Sequence, residues 1–395
     1  MRLKSLISSL VFIGFIFTLI FSCKRGNRAE KEKAETEIQE KVGALPGNFL
    51  SPKDNPTTSA KVELGRLLFY DPILSGKKDI ACATCHHPEY GYAEGTEVSI
   101  GVNGVGLGEV REFNYPNDIP FTKRNAHTVL NTAFNGIDTE GKYVPERAPM
   151  FWDLRSESLE KQALEPIKSF EEMRGHAYDS ALALDSVVTR LKKVAGYQEL
   201  FSKVFNEENA VTITNLGKAL AAFQRSLVAN NSRFDRYMRG DESAMSQMEK
   251  EGYEAFLKTG CAKCHNGPMF SDFKLHILGV PDNEKLAQTD PGVNNSYAFR
   301  TPTLRNLRYT DPYMHSGKLQ SLEDVLEFYE DMASKDPRDP HVTREKLDPL
   351  ARNMNVNFKD FRLIIEFLNA LNDDNFDKKI PEKVPSGLKV GGNIN

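Results

Sequence analysis

Cysteine usage constrains this chain more than any other feature. Five cysteines occur in 395 residues, and four of them form two Cys-x-x-Cys-His motifs, Cys82–His86 and Cys261–His265. The motifs lie 179 residues apart, each shortly downstream of a helix-patterned stretch, which points to two related modules with different insertions. This is the attachment signature of c-type haem. Two thiols are spaced to meet two vinyl groups on one porphyrin edge, and the next imidazole falls under the iron. A zinc reading must gather two thiolates and two imidazoles, or four thiolates, across the whole separation. A thioredoxin-like pair lacks its βαβ surroundings, and a secreted disulfide framework needs more cysteines at scattered spacings. Haem attachment leaves one cysteine over, Cys23.

Arg2 and Lys4 precede an apolar run from Leu10 to Phe21 that ends in Leu19-Ile20-Phe21-Ser22-Cys23. This reads as an export signal over residues 1–22 with a lipobox-like end, so that Cys23 is acylated; an uncleaved anchor helix is the alternative. Residues 23–44 are dense in charge and poor in apolar side chains, the composition of a solvated tether. Lys+Arg 51 against Asp+Glu 55 leaves a formal charge of −4, with no basic field to recommend nucleic acid.

From residue 45 the chain is globular. Apolar residues recur at helical spacing at Val62, Leu64, Leu67 and Leu68, then at Leu216, Leu220, Phe223 and Leu227. The pattern continues at Met245, Met248 and Phe256, at Leu322, Val325, Leu326 and Tyr329, and at Phe361, Ile364, Ile365 and Leu368. Strand-like alternation is scarce. The expected fold is all-α with long loops: two cytochrome c-like domains, 45–230 and 231–372, each with one covalent haem, and a 373–395 tail packing back on the first. Gly104–Gly108 invites a nucleotide-loop reading, but no strand precedes it and no periodic helix follows.

Phe151-Trp152-Asp153-Leu154-Arg155 lies between the motifs; Thr303-Leu304-Arg305-Asn306 and Pro312-Tyr313-Met314-His315-Ser316-Gly317 follow them. With these, the chain resembles the bacterial di-haem cytochrome c peroxidase and MauG family over roughly residues 45–385. The resemblance implies a peroxide site at the N-terminal haem, with His86 as its iron ligand. The family's glutamine, proline and glutamate fall ten, fourteen and twenty residues after the tryptophan, which gives Gln162, Pro166 and Glu172. It implies that Glu172 moves the peroxide proton, Gln162 orients the peroxide and Trp152 couples the haems. On the residues alone, Glu172 beside Glu171 reads as a solvated helix face, and Trp152 as core packing. The resemblance also implies an electron-transfer haem on Cys261, Cys264 and His265, and a calcium ion on Asn125, Thr310 and Pro312, whose oxygen donors suit a hard cation.

Two departures from the typical peroxidases stand out. Their second haem takes a methionine fourteen residues after the Pro-Tyr-x-His histidine; here that position is Tyr329, as in MauG-type proteins, with Met332 as the alternative ligand. Their peroxide haem is blocked by a histidine after Ser-Ile-Gly; here Ser99-Ile100-Gly101 is followed by Val102, which cannot bind iron. The N-terminal haem is therefore expected to be five-coordinate when oxidised. His127 belongs to a neighbouring run, His315 to the domain junction, and His87, His176, His276 and His341 are expected to be surface or hydrogen-bonding residues. The expectation is a periplasmic, lipid-anchored peroxidase, with a homodimer left open, reducing hydrogen peroxide with electrons from a small cytochrome c or cupredoxin. Its rivals are a MauG-like oxidase of a partner protein's side chains and a non-enzymatic electron carrier.

Overall fold

Residues 41–394 are described by a computed structural model; the segment read as an export signal, Cys23 and most of the charged segment lie outside the described residues. The chain order begins with α1 (Ser59–Tyr70), α2 (Cys82–Cys85), and the paired strands β1 (Gly104–Val105) and β2 (Glu112–Phe113). Next come α3 (Leu159–Gln162), α4 (Glu165–Lys168), α5 (Ala183–Leu191), α6 (Ala195–Phe205), α7 (Ile213–Ser226) and α8 (Arg233–Met238). The remainder holds α9 (Gln247–Thr259), strands β3 (Leu275–Ile277) and β4 (Ala298–Arg300), α10 (Leu322–Met332), α11 (Pro349–Arg352) and α12 (Phe358–Ala370). Among the described residues no helix is long and apolar enough to cross a membrane.

Two helix crossings organise the molecule, and they repeat each other residue for residue. In the first, α1 crosses α7 at Gly65, where a Cβ would overlap the carbonyl oxygen of Ala219 and the Cβ of Phe223. In the second, α9 crosses α12 at Gly252, where a Cβ would overlap the carbonyl of Leu363 and the Cβ of Phe367. One turn after each glycine a phenylalanine meets the aromatic of the facing helix. Phe69 lies 5.1 Å from Phe223, and Phe256 lies 5.1 Å from Phe367 between ring centroids. Each crossing has its own core. Leu64, Leu68, Phe69, Leu216, Leu220 and Phe223 sit in one, and Phe234, Phe256, Phe361, Ile364 and Phe367 in the other. Because backbone meets backbone at these points, Gly252→Ala must push α9 off α12. The expected cost is about 1–3 kcal/mol, the range for overpacked cores, read as a lowered unfolding midpoint.

Caps set the helix ends. Ser246 and Glu249 form a capping box that starts α9 at Gln247, so Met245, expected on this helix, packs into the core ahead of it. Gly260, at φ 91°, closes α9 immediately before Cys261. Ser321 and Asp324 start α10 in the same way. Asp71 and Pro72 end α1 where the sequence places the stop.

Two features differ from expectation. Residues 41–44, assigned to the tether, pack on the C-terminal half: Val42 is buried among Phe234 and Phe270, and Gly267 N donates to Lys41 O. An amphipathic pair of contacts suffices there, too short to register as a pattern. The all-α expectation is interrupted by two antiparallel ribbons, β1–β2 and β3–β4, whose two- and three-residue strands show no alternation to read. Gly104 belongs to β1 rather than to a phosphate loop, and Gly106 N bonds Asn393 O. The tail returns to the first crossing: Phe376 and Val384 enter its core, and Gly391 N bonds Tyr70 O.

Candidate active site

Both Cys-x-x-Cys-His segments present the same arrangement. The histidine backbone N–H bonds the first cysteine's carbonyl, His86 to Cys82 at 3.0 Å and His265 to Cys261 at 2.9 Å. Each imidazole then uses Nδ1 on a backbone carbonyl, Tyr92 O at 3.0 Å and Phe270 O at 2.9 Å. Tyr92 and Phe270 both adopt left-handed backbone, at φ 58° and 51°, which turns those carbonyls inward. With Nδ1 committed as donor, Nε2 keeps its lone pair for a metal.

His86, Cys82 and Cys85 line a cavity of about 640 Å³. Gln162, Pro166 and Glu172 line the same cavity, although they come from α3, α4 and the turn beyond it. That turn, Phe170–Arg174, is a π-helical loop closed by Arg174 N donating to Ser169 O at 2.9 Å. The loop Ser99–Val102 braces it. Gly101 lies against the backbone of Glu171 and Glu172 with no room for a Cβ, and Val102 N donates to Glu171 O at 3.1 Å. Arg111 secures the brace by donating to the carbonyls of Ile100 and Gly101. The Val102 side chain is buried among Ile100, Phe113 and Ile119 and does not line the cavity.

A second cavity, of about 170 Å³, is lined by Cys261, Cys264, His265 and Tyr329. Leu322, Val325 and Leu326 face it from the same side of α10 as Tyr329. The hydroxyl of Tyr329 has no hydrogen-bond partner among the described residues, while burial and the neighbouring Cys264 and Cys261 sulfurs raise its pKa. Met332 packs instead with Val280, Phe328, Val342 and Leu347 and is not among the residues that line the cavity. Asn125, Thr310 and Pro312 also line this cavity; Asn125 donates its amide to Thr96 O and Glu97 O.

Trp152 lines both cavities. Its Nε1 donates to Asn125 O at 3.0 Å, and its ring stacks on His127 at 4.0 Å. The two motifs, the residues that line the cavity with His86 and one shared tryptophan thus occupy a single continuous region.

Comparison with known proteins agrees. Residues 59–243 match the family described as di-haem cytochrome c peroxidase. The chain is 38% identical over 289 residues to the methylamine utilization protein MauG of Methylorubrum extorquens, covering 72% of each. It is 31% identical over 338 residues to the cytochrome c551 peroxidase of Nitrosomonas europaea, covering 84% of this chain and 85% of that one. The chain belongs to the di-haem cytochrome c peroxidase family. A solved MauG-like protein associated with microbial copper homeostasis shares the fold, with TM-score 0.67 and 26% identity over 83% of this chain and 95% of its own. Membership makes the protein an oxidoreductase of a family that carries two c-type haems.

The residues present fit such groups. Each cavity offers two cysteines unpaired with one another and an oriented imidazole. Gln162 Oε1 is buried without a partner in the cavity that His86 lines, an orphan acceptor that an occupant of the cavity would satisfy. Burial, with Glu171 beside it, pushes the Glu172 carboxyl up to about 7.

Several residues escaped sequence reading. Arg300, at the end of β4, lines both cavities and donates to His127 Nε2 at 3.2 Å, while its Nε has no partner. His127, noted only for its neighbourhood, is the tryptophan's stacking partner, and burial holds it neutral, with Arg300 adding to the effect. His315 stacks on Phe299 at 3.6 Å, and burial lowers its pKa to about 3. His276 does hydrogen-bond as expected, but it is no surface residue. Despite burial, its contacts with Asp272, Cys264 and Asp348 push it up to about 11.

Proposed function

We propose that the protein is a c-type di-haem peroxidase that reduces hydrogen peroxide to water with electrons from a small periplasmic donor. The observation that carries this reading is the convergence of Gln162, Pro166 and Glu172 on the cavity whose other wall is Cys82, Cys85 and His86. A haem bound there supplies the redox-active iron to which peroxide binds and from which it takes electrons.

The chain's own residues account for the rest. Glu172, ionised above about pH 7, accepts the proton of the inner peroxide oxygen and returns it to the outer oxygen, which leaves as water. Gln162, with its amide oxygen unpartnered, accepts a hydrogen bond from the peroxide O–H and orients it. Pro166 lines the cavity with them from the first turn of α4, where a missing N–H costs the helix nothing. Trp152, common to both cavities, is the proposed bridge for electrons from the C-terminal centre. His265 and Tyr329 would hold the iron there, the tyrosine being the residue of α10 whose hydroxyl meets the cavity with no hydrogen-bond partner among the described residues.

The absence of a histidine at Val102 supports an iron that is open when oxidised. Electron paramagnetic resonance of the diferric protein is expected to show one high-spin and one low-spin haem, and cyanide should convert the first to low spin. An all-low-spin spectrum insensitive to cyanide would favour the electron-carrier reading. A MauG-like oxidase of a partner protein is the second reading, favoured by Tyr329 and by the higher identity to a MauG protein. Peroxide handling is common to both, and the residues described require no partner for reduction by a soluble donor. A partner-dependent oxidation product found by mass spectrometry would support the second reading.

Export, acylation at Cys23 and periplasmic anchoring complete the proposal. So does a calcium ion on Asn125 Oδ1 and the carbonyls of Thr310 and Pro312, none of which takes a hydrogen bond among the described residues. Chelation is expected to slow transfer between the haems without releasing either; unchanged kinetics after complete metal removal would reject the calcium.

A further inference from the structure

A line of aromatic rings leaves the N-terminal motif and ends at the surface. His86 is tied to Tyr92 through the Nδ1–carbonyl bond, and the Tyr92 ring is buried. From Tyr92 the next ring is Phe376, 6.1 Å away between centroids, and then Tyr309, 5.6 Å further. Gly91, beside Tyr92, holds the segments together, since a Cβ there would stand 2.7 Å from the Cβ of Tyr309. Phe69, 6.2 Å from Tyr92 and 6.5 Å from His86, offers a parallel contact.

The two tyrosines differ in where their protons can go. A phenol is readily oxidised by one electron only when its proton leaves with the electron. Tyr92 donates its hydroxyl to the backbone carbonyl of Asp377, a group far too weakly basic to keep a proton. Tyr309, partly exposed, donates to a carboxylate oxygen of Asp374 at 2.6 Å, which can. Arg308 pairs with the other oxygen of Asp374 at 3.2 Å and fixes the acceptor's orientation. Tyr92 therefore serves only as a bridge through which the electron tunnels without being oxidised itself, and Tyr309 is the ring suited to holding the oxidising equivalent.

We propose that Tyr309 is a surface radical site, reached from the N-terminal haem by way of Tyr92 and Phe376, that takes oxidising equivalents when no electron donor is bound. This rests on the peroxidase reading, because hydrogen peroxide is the oxidant. In the step, Tyr309 gives one electron inward, reducing the peroxide-oxidised centre by one equivalent. Its O–H bond breaks, and the proton forms an O–H bond on Asp374. None of Tyr92, Phe376 and Tyr309 lines the peroxide cavity, so the route does not pass through Trp152.

The test is peroxide added to oxidised, haem-loaded protein without donor, freeze-quenched for electron paramagnetic resonance, with the haem optical spectrum followed in parallel. A tyrosyl signal is expected that is lost in Tyr309→Phe and strongly reduced in Asp374→Asn, while the optical change and donor oxidation stay as in the wild type. Peptide mapping should find oxygen addition or cross-linking at Tyr309 in the wild type only. A normal optical change with no tyrosyl signal, or with a signal that survives Tyr309→Phe, overturns the proposal and leaves the peroxidase reading standing. No optical change at all overturns both.

Discussion

Replacing Glu172 by Gln is expected to lower kcat/KM for peroxide by about 10²–10⁴-fold, the usual contribution of a positioned acid/base. The pH profile should change with it. The wild-type carboxyl titrates at about 7, raised by burial and by Glu171, and it must be ionised to take the first proton. Wild-type kcat/KM should therefore rise with pH through about 7 and level off above. The glutamine variant should be flat across that range, because its amide holds the geometry but cannot titrate. A profile whose rise persists in Glu172→Gln would assign the titration to another group. The nearest rival is Glu94, fully buried with both carboxylate oxygens unpartnered and likewise pushed by burial to about 7. Glu94 does not line the peroxide cavity, so its loss should affect folding or haem retention before it affects the profile.

The second large effect concerns the C-terminal centre. Tyrosinate is an anionic oxygen ligand that stabilises the ferric state, whereas a thioether favours the ferrous state. Tyr329→Met is expected to raise the potential of that haem on the order of hundreds of millivolts, within the ~0.8 V that axial ligands command. Spectroelectrochemistry resolves the two haems and reads the shift directly. The alternative ligand makes the opposite prediction: were Met332 bound, Tyr329→Met would leave the potential in place and Met332→Leu would move it. The packing of Met332 with Phe328 and Val342, outside the set of residues that line the cavity, speaks for Tyr329.

How legible all this was depends on the kind of information each element carries. The haem motifs are local covalent chemistry, so four cysteines and two histidines were readable from spacing alone. Gln162, Pro166 and Glu172 were readable only as a set at fixed offsets from Trp152, since a lone glutamate pair looks like a solvated face. The cavity brings the three together. The helical faces were readable because burial imposes a period, and Leu216, Leu220, Phe223 and Leu227 are all fully buried. The imidazole acceptors were not readable, because Tyr92 and Phe270 contribute backbone carbonyls and left-handed φ angles rather than side-chain types. Arg300 was missed because a three-residue strand gives no pattern, and its position between the cavities is a purely tertiary fact. The twin crossings at Gly65 and Gly252 did have a signal, a glycine followed four residues later by phenylalanine ahead of each motif. That signal has meaning only once the facing helices are known.

The central claim is catalysis at an N-terminal haem that needs no prior opening. The measurement that tests it most directly is peroxide-dependent oxidation of excess reduced cytochrome c by fully oxidised, haem-loaded enzyme. The account predicts sustained turnover from the first seconds, without pre-reduction. A lag abolished by pre-reducing the C-terminal haem would contradict the open site, and a single stoichiometric spectral change without turnover would contradict the peroxidase itself.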